Sequence, residues 1–212
     1  FHDAGGREEP EQHLVAAILR PGNAPATATA RGLLRRLVKR IRLAFPGTPI
    51  RVRADGGFAA GDFLDFLESL GLEYAINLPT NSRLRGAAEP AFQRWVREWS
   101  EATGVSERRY GECRYAAKTW SHRRRVIIKA EVVRDPGRPE KGPRDNARFL
   151  VTNMKASAQH VYEEIYCPRG DIENRIKELK DGLEIDRTSC TSFRANQFRV
   201  LLTAAAYVLM QE

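Results

Sequence analysis

The chain has 212 residues, 42% of them hydrophobic, enough for one large domain or for a core domain with a sizeable insertion. Its formal net charge of +8 admits a polyanionic partner without requiring one. The three cysteines (Cys113, Cys167 and Cys190) stand far apart and in no CxxC pair, so neither a zinc site nor a disulfide framework is supported and a reducing cytoplasm fits best. The first residues show no signal-peptide pattern, so none is expected here, and the longest apolar run, Leu201 to Met210, is too short to span a bilayer.

In chain order, His13 to Arg20 (HLVAAILR) predicts a buried strand closed by Pro21-Gly22-Asn23. A helix is expected from about Thr29 to Ala44, with Leu33, Leu34, Leu37, Val38 and Ile41 on one face and six basic residues on the other. Ile50 to Ala54 predicts a second strand, ending at Asp55-Gly56-Gly57. A helix over Ala60 to Leu70 and a strand over Tyr74 to Leu78 follow. Strand, helix, strand, helix, strand with short connections argues for a parallel, helix-covered sheet.

The character changes after Pro79. A short amphipathic helix over Phe92 to Trp99 precedes long strands at Arg108 to Trp120 and Arg123 to Val133. A polar excursion, Asp135 to Asn146, then leads to a strand at Arg148 to Asn153. Helices are expected at Ala158 to Ile165, Pro168 to Leu183 and Ser192 to Met210. The organisation is therefore a first core part (1–78), a β-rich insertion (79–158) and a helical C-terminal part of the core (159–212).

Tyr166 to Lys180 reads YCPRGDIENRIKELK. Pro168 suits the first turn of a helix, on which Arg169, Glu173, Lys177 and Lys180 share a face beside an apolar stripe of Ile172, Ile176, Leu179 and Leu183. On spacing alone this is an ordinary surface helix with ion pairs. The second constellation is Arg53-Ala54-Asp55-Gly56-Gly57-Phe58, an Asp at the carboxyl end of a parallel strand, where ligands and metals gather in α/β sheets. Alone it is an Asp in a common strand-to-helix turn.

The spacing Tyr-x2-Arg-x3-Glu-x6-Lys, met by Tyr166, Arg169, Glu173 and Lys180, resembles the signature of DDE-type transposases of bacterial insertion sequences. The Asp55 segment is similar to the second-aspartate box of the same family. Asp186-Arg187-Thr188-Ser189 and Arg194-Ala195-Asn196-Gln197 resemble its segment after the glutamate helix. The resemblance covers most of His13 to Met210. It implies an α/β ribonuclease H-like fold with a β-rich insertion and metal-dependent cleavage and transfer of DNA strands. Asp55 and Glu173 would hold two Mg2+ or Mn2+ ions, the hard cations that take oxygen ligands. It further implies transposon-end and target DNA as partners, a homodimer on DNA, and a cytoplasmic, nucleoid-associated enzyme.

DNA contacts are expected from Tyr166, Arg169, Lys177 and Lys180 and from the run Arg123-Arg124-Arg125. For the basic face of the first helix, phosphate contact and a plain solvated surface are equally open. Trp95, Trp99 and Trp120 are expected mainly in the core, and His2, His13, His122 and His160 share no ligand spacing. The family also carries an aspartate on the first strand of its sheet. Asp3 has no strand before it and reads as a linker residue, so the chain is expected to be a fragment lacking that strand, folding poorly and inactive alone. Two readings compete: a nuclease of the same fold without strand transfer, and a non-catalytic DNA-binding remnant.

Overall fold

A strand rich in buried apolar residues needs hydrogen-bond partners on both edges, and residues 73–78 have them. The computed structural model describes residues 13–87, 90–104, 106–134 and 142–211. In chain order the elements are helix α1 (Ala26–Ala44), strand β1 (Arg51–Ala54), helix α2 (Gly61–Ser69), strand β2 (Glu73–Leu78), and helices α3 (Ser82–Ala87) and α4 (Pro90–Thr103). Strands β3 (Glu107–Tyr115), β4 (Arg124–Val133), β5 (Arg144–Asp145) and β6 (Arg148–Thr152) follow, then helices α5 (Ala158–His160), α6 (Gly170–Lys177) and α7 (Phe193–Gln211). Among the described residues no helix is long and apolar enough to cross a membrane.

The chain forms two compact units, one of Pro25–Arg169 and one that combines the segment before Pro25 with Gly170–Glu212. The first is mixed α/β, with a mixed sheet in the order β1-β2-β6-β4-β3 and β5 on the side of β4. β1 and β2 are parallel, with Val52 opposite Tyr74 and Ala54 opposite Ile76. β2 pairs antiparallel with β6, β6 with β4, and β4 with β3. The strands of the segment read as an insertion thus extend the same sheet that contains β1 and β2. Side chains beyond β6 fix this join: Asn153 accepts from the Tyr74 amide at 3.0 Å and donates to the Leu72 carbonyl at 2.8 Å.

Alternation along the strands divides the core. Tyr74, Ile76, Val126, Ile128, Phe149 and Val151 face one side, where Phe63, Leu64 and Leu67 of α2 and Val38 of α1 cover them. Ala75, Ile127 and Leu150 face the other, beneath Val161 and Tyr162. Gly61 starts α2 against the chain: a Cβ there would lie 2.5 Å from the Thr119 carbonyl oxygen and 3.0 Å from Trp120 Cα.

Two expectations are corrected. Residues 13–20 form no strand; Val15 and Ile18 are exposed, and the Leu19 amide donates at 2.8 Å to the side chain of Gln197 on α7. An apolar run becomes a strand only beside a partner strand, and this run lies in the other unit from the sheet. The strand expected to reach Trp120 stops at Tyr115, because a turn closed by the Trp120 amide on the Ala117 carbonyl sends the indole into the core. Most of the polar excursion, residues 135–141, and Asp3 lie outside the described residues.

In the second unit, Tyr207 of α7 donates to Glu178 at 2.7 Å, and the Asn196 side chain both accepts from and donates to the Cys190 backbone. The helical path after α6 widens into a π turn at Glu178–Gly182, where 3.6-residue spacing gives way to a longer repeat.

Arg124 is the most deeply buried charge described in the sheet. Its Nε donates to Glu68 at 2.7 Å and its Nη2 to Asp65 at 2.5 Å, while its guanidinium lies over the Trp120 ring. The run Arg123-Arg124-Arg125 was expected to grip phosphate as a block. Strand alternation instead turns Arg124 inward, with its side chain 2% exposed, so it is withdrawn from the DNA-contact set. Arg125 pairs with Glu112 and donates to the Met154 and Ala156 carbonyls at 2.6 and 2.8 Å.

Three outcomes are expected. Gly61→Ala costs about 2 kcal/mol, since backbone must shift, and lowers Tm by roughly 4–8 °C; an unchanged melt contradicts the packing. Arg124→Met leaves two carboxylates without their partner and costs ~2–3 kcal/mol, below the fully buried case because both acids keep some solvent. The third is a pH effect. A hydrogen bond from Ser121 is the main force holding the Asp65 carboxyl below its usual value, with Arg124 assisting. Burial raises Glu68, but Arg124 and Tyr74 outweigh it and leave it lowered. Depressed carboxyl pKa values stabilise the fold above the unfolded values of 3.8 and 4.5, and that stability is lost as pH falls through the folded values. Melts should therefore lose Tm below about pH 4.5, less steeply in Arg124→Met; parallel pH–Tm curves for the two proteins would contradict this.

Candidate active site

β1 is short because Asp55 leaves the ladder to cap the 3-10 turn Gly56–Phe58. Its Oδ1 accepts from the Gly57 amide at 2.9 Å, a local bond typical of Asp at strand ends. The carboxylate is exposed, and Oδ2 has no partner among the described residues. Gly56 is required here: an added Cβ would meet Pro79 Cγ at 2.9 Å, so the turn rests directly on the residue after β2. An open carboxylate oxygen thus stands at the carboxyl end of a parallel strand, on a backbone fixed from two sides.

The segment leading to the expected glutamate helix is tied to the same strand. Arg53 Nη1 donates to the Ile165 carbonyl at 3.1 Å, within the π turn Val161–Tyr166. π turns occur often at functional sites. Tyr110 of β3 donates to Glu163 of that turn at 2.9 Å, and Tyr162 packs against the sheet with its hydroxyl pushed up to about 12 by burial. Tyr166 is half-buried, its ring 5.7 Å from that of Tyr162.

In the other unit Glu173 lies on α6 and is exposed, as are Lys177 and Lys180; the lysines have no ion-pair partner among the described residues. Lys177 sits one turn from Glu173 on the same face. Lys180 falls inside the π turn, which shifts it from the place that regular helical spacing predicts. The Arg169 side chain lies outside what the structure describes. Arg123 is exposed and unpaired among the described residues.

A second acidic group was not foreseen. Asp65, Glu68 and His122 bring one ligand atom each within 4.8 Å of one another. It does not suit a cation, because the Arg124 guanidinium already donates to both carboxylates and supplies the positive charge that a metal would bring. The signal was present: two acids three apart on a helix otherwise buried at Phe63, Leu64, Phe66 and Leu67 need a cation nearby. The tryptophans also divide. Trp120 is buried, whereas Trp95 and Trp99 are exposed, with the Arg109 guanidinium 5.4 and 5.7 Å from their rings.

The chain matches no curated protein. A family model, transposase DDE domain group 1, matches residues 8–212. That span includes Asp55, the π turn and α6, and the mixed α/β fold is compatible with it. The chain belongs to the DDE transposase family.

Proposed function

We propose that this chain is the ribonuclease H-like catalytic domain of a transposase that cleaves DNA and transfers its strands, with Asp55 and Glu173 as ligands of a pair of divalent cations. The observation that carries the reading is Asp55 at the carboxyl end of the parallel β1–β2 pair, one oxygen held by the Gly57 amide and the other open. Family membership along residues 8–212 supports it.

The donor set fits the cations. Both carboxylates are exposed, and each offers the hard oxygen ligands that Mg2+ or Mn2+ takes. Such ions, when bound, polarise a phosphodiester and stabilise the charge that builds on its attacking and leaving oxygens. The protein's own part is positional. The Gly57 amide fixes the Asp55 carboxylate, and Gly56 keeps its turn close to Pro79. Arg53 holds the π turn, from which the chain continues towards Glu173. Lys177 and Lys180, with Arg123 and Arg169, present cations to DNA phosphates, and Tyr166 seats the turn against Tyr162. The substrates are transposon ends and target DNA, and a homodimer on DNA is the working assembly. Joined products beside nicked ends separate strand transfer from simple hydrolysis.

Two outcomes test this. Mn2+ titrations followed by electron paramagnetic resonance should show binding that falls about 10-fold or more in Asp55→Asn and in Glu173→Gln, with Tm unchanged. Binding that is lost only in Asp65→Asn or Glu68→Gln would move the metal to the Arg124 group and defeat the assignment. Lys177→Ala and Lys180→Ala should each flatten the dependence of log DNA affinity on log salt by roughly 0.9, whereas Arg124→Lys leaves it unchanged. An unaltered slope in both lysine variants would place them off the DNA path.

A further inference from the structure

Strand β2 reads as an apolar run, YAINL, broken at one position by Asn77. Tyr74, Ala75, Ile76 and Leu78 are buried, whereas Asn77 is half-buried and its carboxamide has no hydrogen-bond partner among the described residues. Asparagine is disfavoured in strands, and an amide drawn partly out of water without a partner costs stability. For the sheet alone, valine would serve better at this position.

Strand register places the carboxamide at the candidate site. Arg51 pairs with Glu73 and Arg53 with Ala75, and the same step carried past the last pair, Ala54 with Ile76, sets Asp55 level with Asn77. Asp55 keeps an extended backbone (φ −80°, ψ −179°). Alternation therefore turns its side chain to the side of Arg53, which Asn77 shares with Ala75. The π turn Val161–Tyr166 packs over that face: Ala75 lies beneath Val161 and Tyr162, as does Leu150, the residue opposite Asn77 on β6. Nδ2 of Asn77 stands 3.5 Å from where a Cβ on Gly56, the residue after Asp55, would lie.

A phosphate can approach the Asp55 carboxylate only when a cation stands between them. A second acid at position 77 would repel that phosphate. A guanidinium would pair with Asp55 in the cation's place, as Arg124 does with Asp65 and Glu68. A neutral carboxamide avoids both faults and carries two N–H donors suited to a non-bridging phosphate oxygen. We infer that Asn77 is a substrate-binding residue of the Asp55 site, donating its amide N–H to a phosphate oxygen of the DNA strand held there. The inference rests on the metal reading of Asp55 for the position of the strand, and on register for the choice of Asn77.

The test uses the full 212-residue chain, with a labelled DNA duplex followed by fluorescence anisotropy in Mn2+ and in EDTA, and Mn2+ binding without DNA followed by electron paramagnetic resonance. The wild type should bind duplex more tightly in Mn2+ than in EDTA. Asn77→Val should lose about 10-fold or more of the affinity in Mn2+, the weight of one hydrogen bond to a charged group, and keep its affinity in EDTA. Its slope of log affinity against log salt should match the wild type, because a neutral donor releases no counterion. Its Mn2+ affinity should be unchanged and its Tm equal or higher. Asn77→Asp keeps the shape without the donors and should lose the Mn2+-dependent binding as well. Weaker Mn2+ binding by Asn77→Val would make Asn77 a ligand of the ion, and a lowered Tm would make it a structural residue; either result overturns the inference. Duplex binding that Mn2+ enhances, that Asp55→Asn abolishes and that both Asn77 variants preserve would overturn it alone. A wild type whose duplex binding Mn2+ does not enhance would overturn the metal reading of Asp55 with it.

Discussion

Strand β2 must satisfy the hydrogen bonds of both its edges while its side chains are buried on both faces, and this requirement organises the larger unit. One edge takes β1 in parallel, so the carboxyl end of β1 leaves the sheet beside the end of β2 and sets Gly56, the residue after Asp55, against Pro79. The other edge takes β6 antiparallel, which draws β4 and β3 into the same sheet. Residues distant in sequence meet for this reason alone: the Asn153 side chain and Thr152 hydroxyl hold Leu72 and Tyr74, 78 to 81 positions earlier.

Charge is sorted by the same geometry. The excess of basic residues says little about where a polyanion binds, because many arginines are spent on holding the fold. Arg124 ties β4 to α2 through Asp65 and Glu68, Arg125 braces the chain beyond β6, and Arg53 holds the π turn below Tyr166. Removing any of these changes structure first. Among the exposed cations without an acid partner in the described residues are Arg123, Lys177 and Lys180. Phosphate can compete for them without first breaking an ion pair.

Much of the larger unit was legible in the sequence, since local periodicity decides it. α1, β1, α2 and β2 lie within a few residues of their expected bounds, because each pairs a clear repeat with a Pro or Gly stop, as at Pro46-Gly47 after α1. What failed depends on partners. Residues 13–20 have the composition of a strand but no strand beside them, and β3 to β6 carried no sign that they would join β2. The arginine run misled because consecutive residues of a strand face opposite ways, which charge counting ignores. At the candidate site, Asp55 could be read from its strand-end position and Glu173 from the spaced signature. The role of Arg53 could not, because its partner, the Ile165 carbonyl, is a backbone group 112 positions away.

The central claim is that Asp55 and Glu173 serve one metal centre. Replacing the bound cation with Fe2+ and generating hydroxyl radicals cuts the backbone wherever it approaches the metal. The account predicts two clusters of cuts, one at the Asp55–Phe58 turn and one on α6 around Glu173, both removed by Asp55→Asn. Cuts confined to one of these segments, or centred on Asp65 and Glu68, would contradict it.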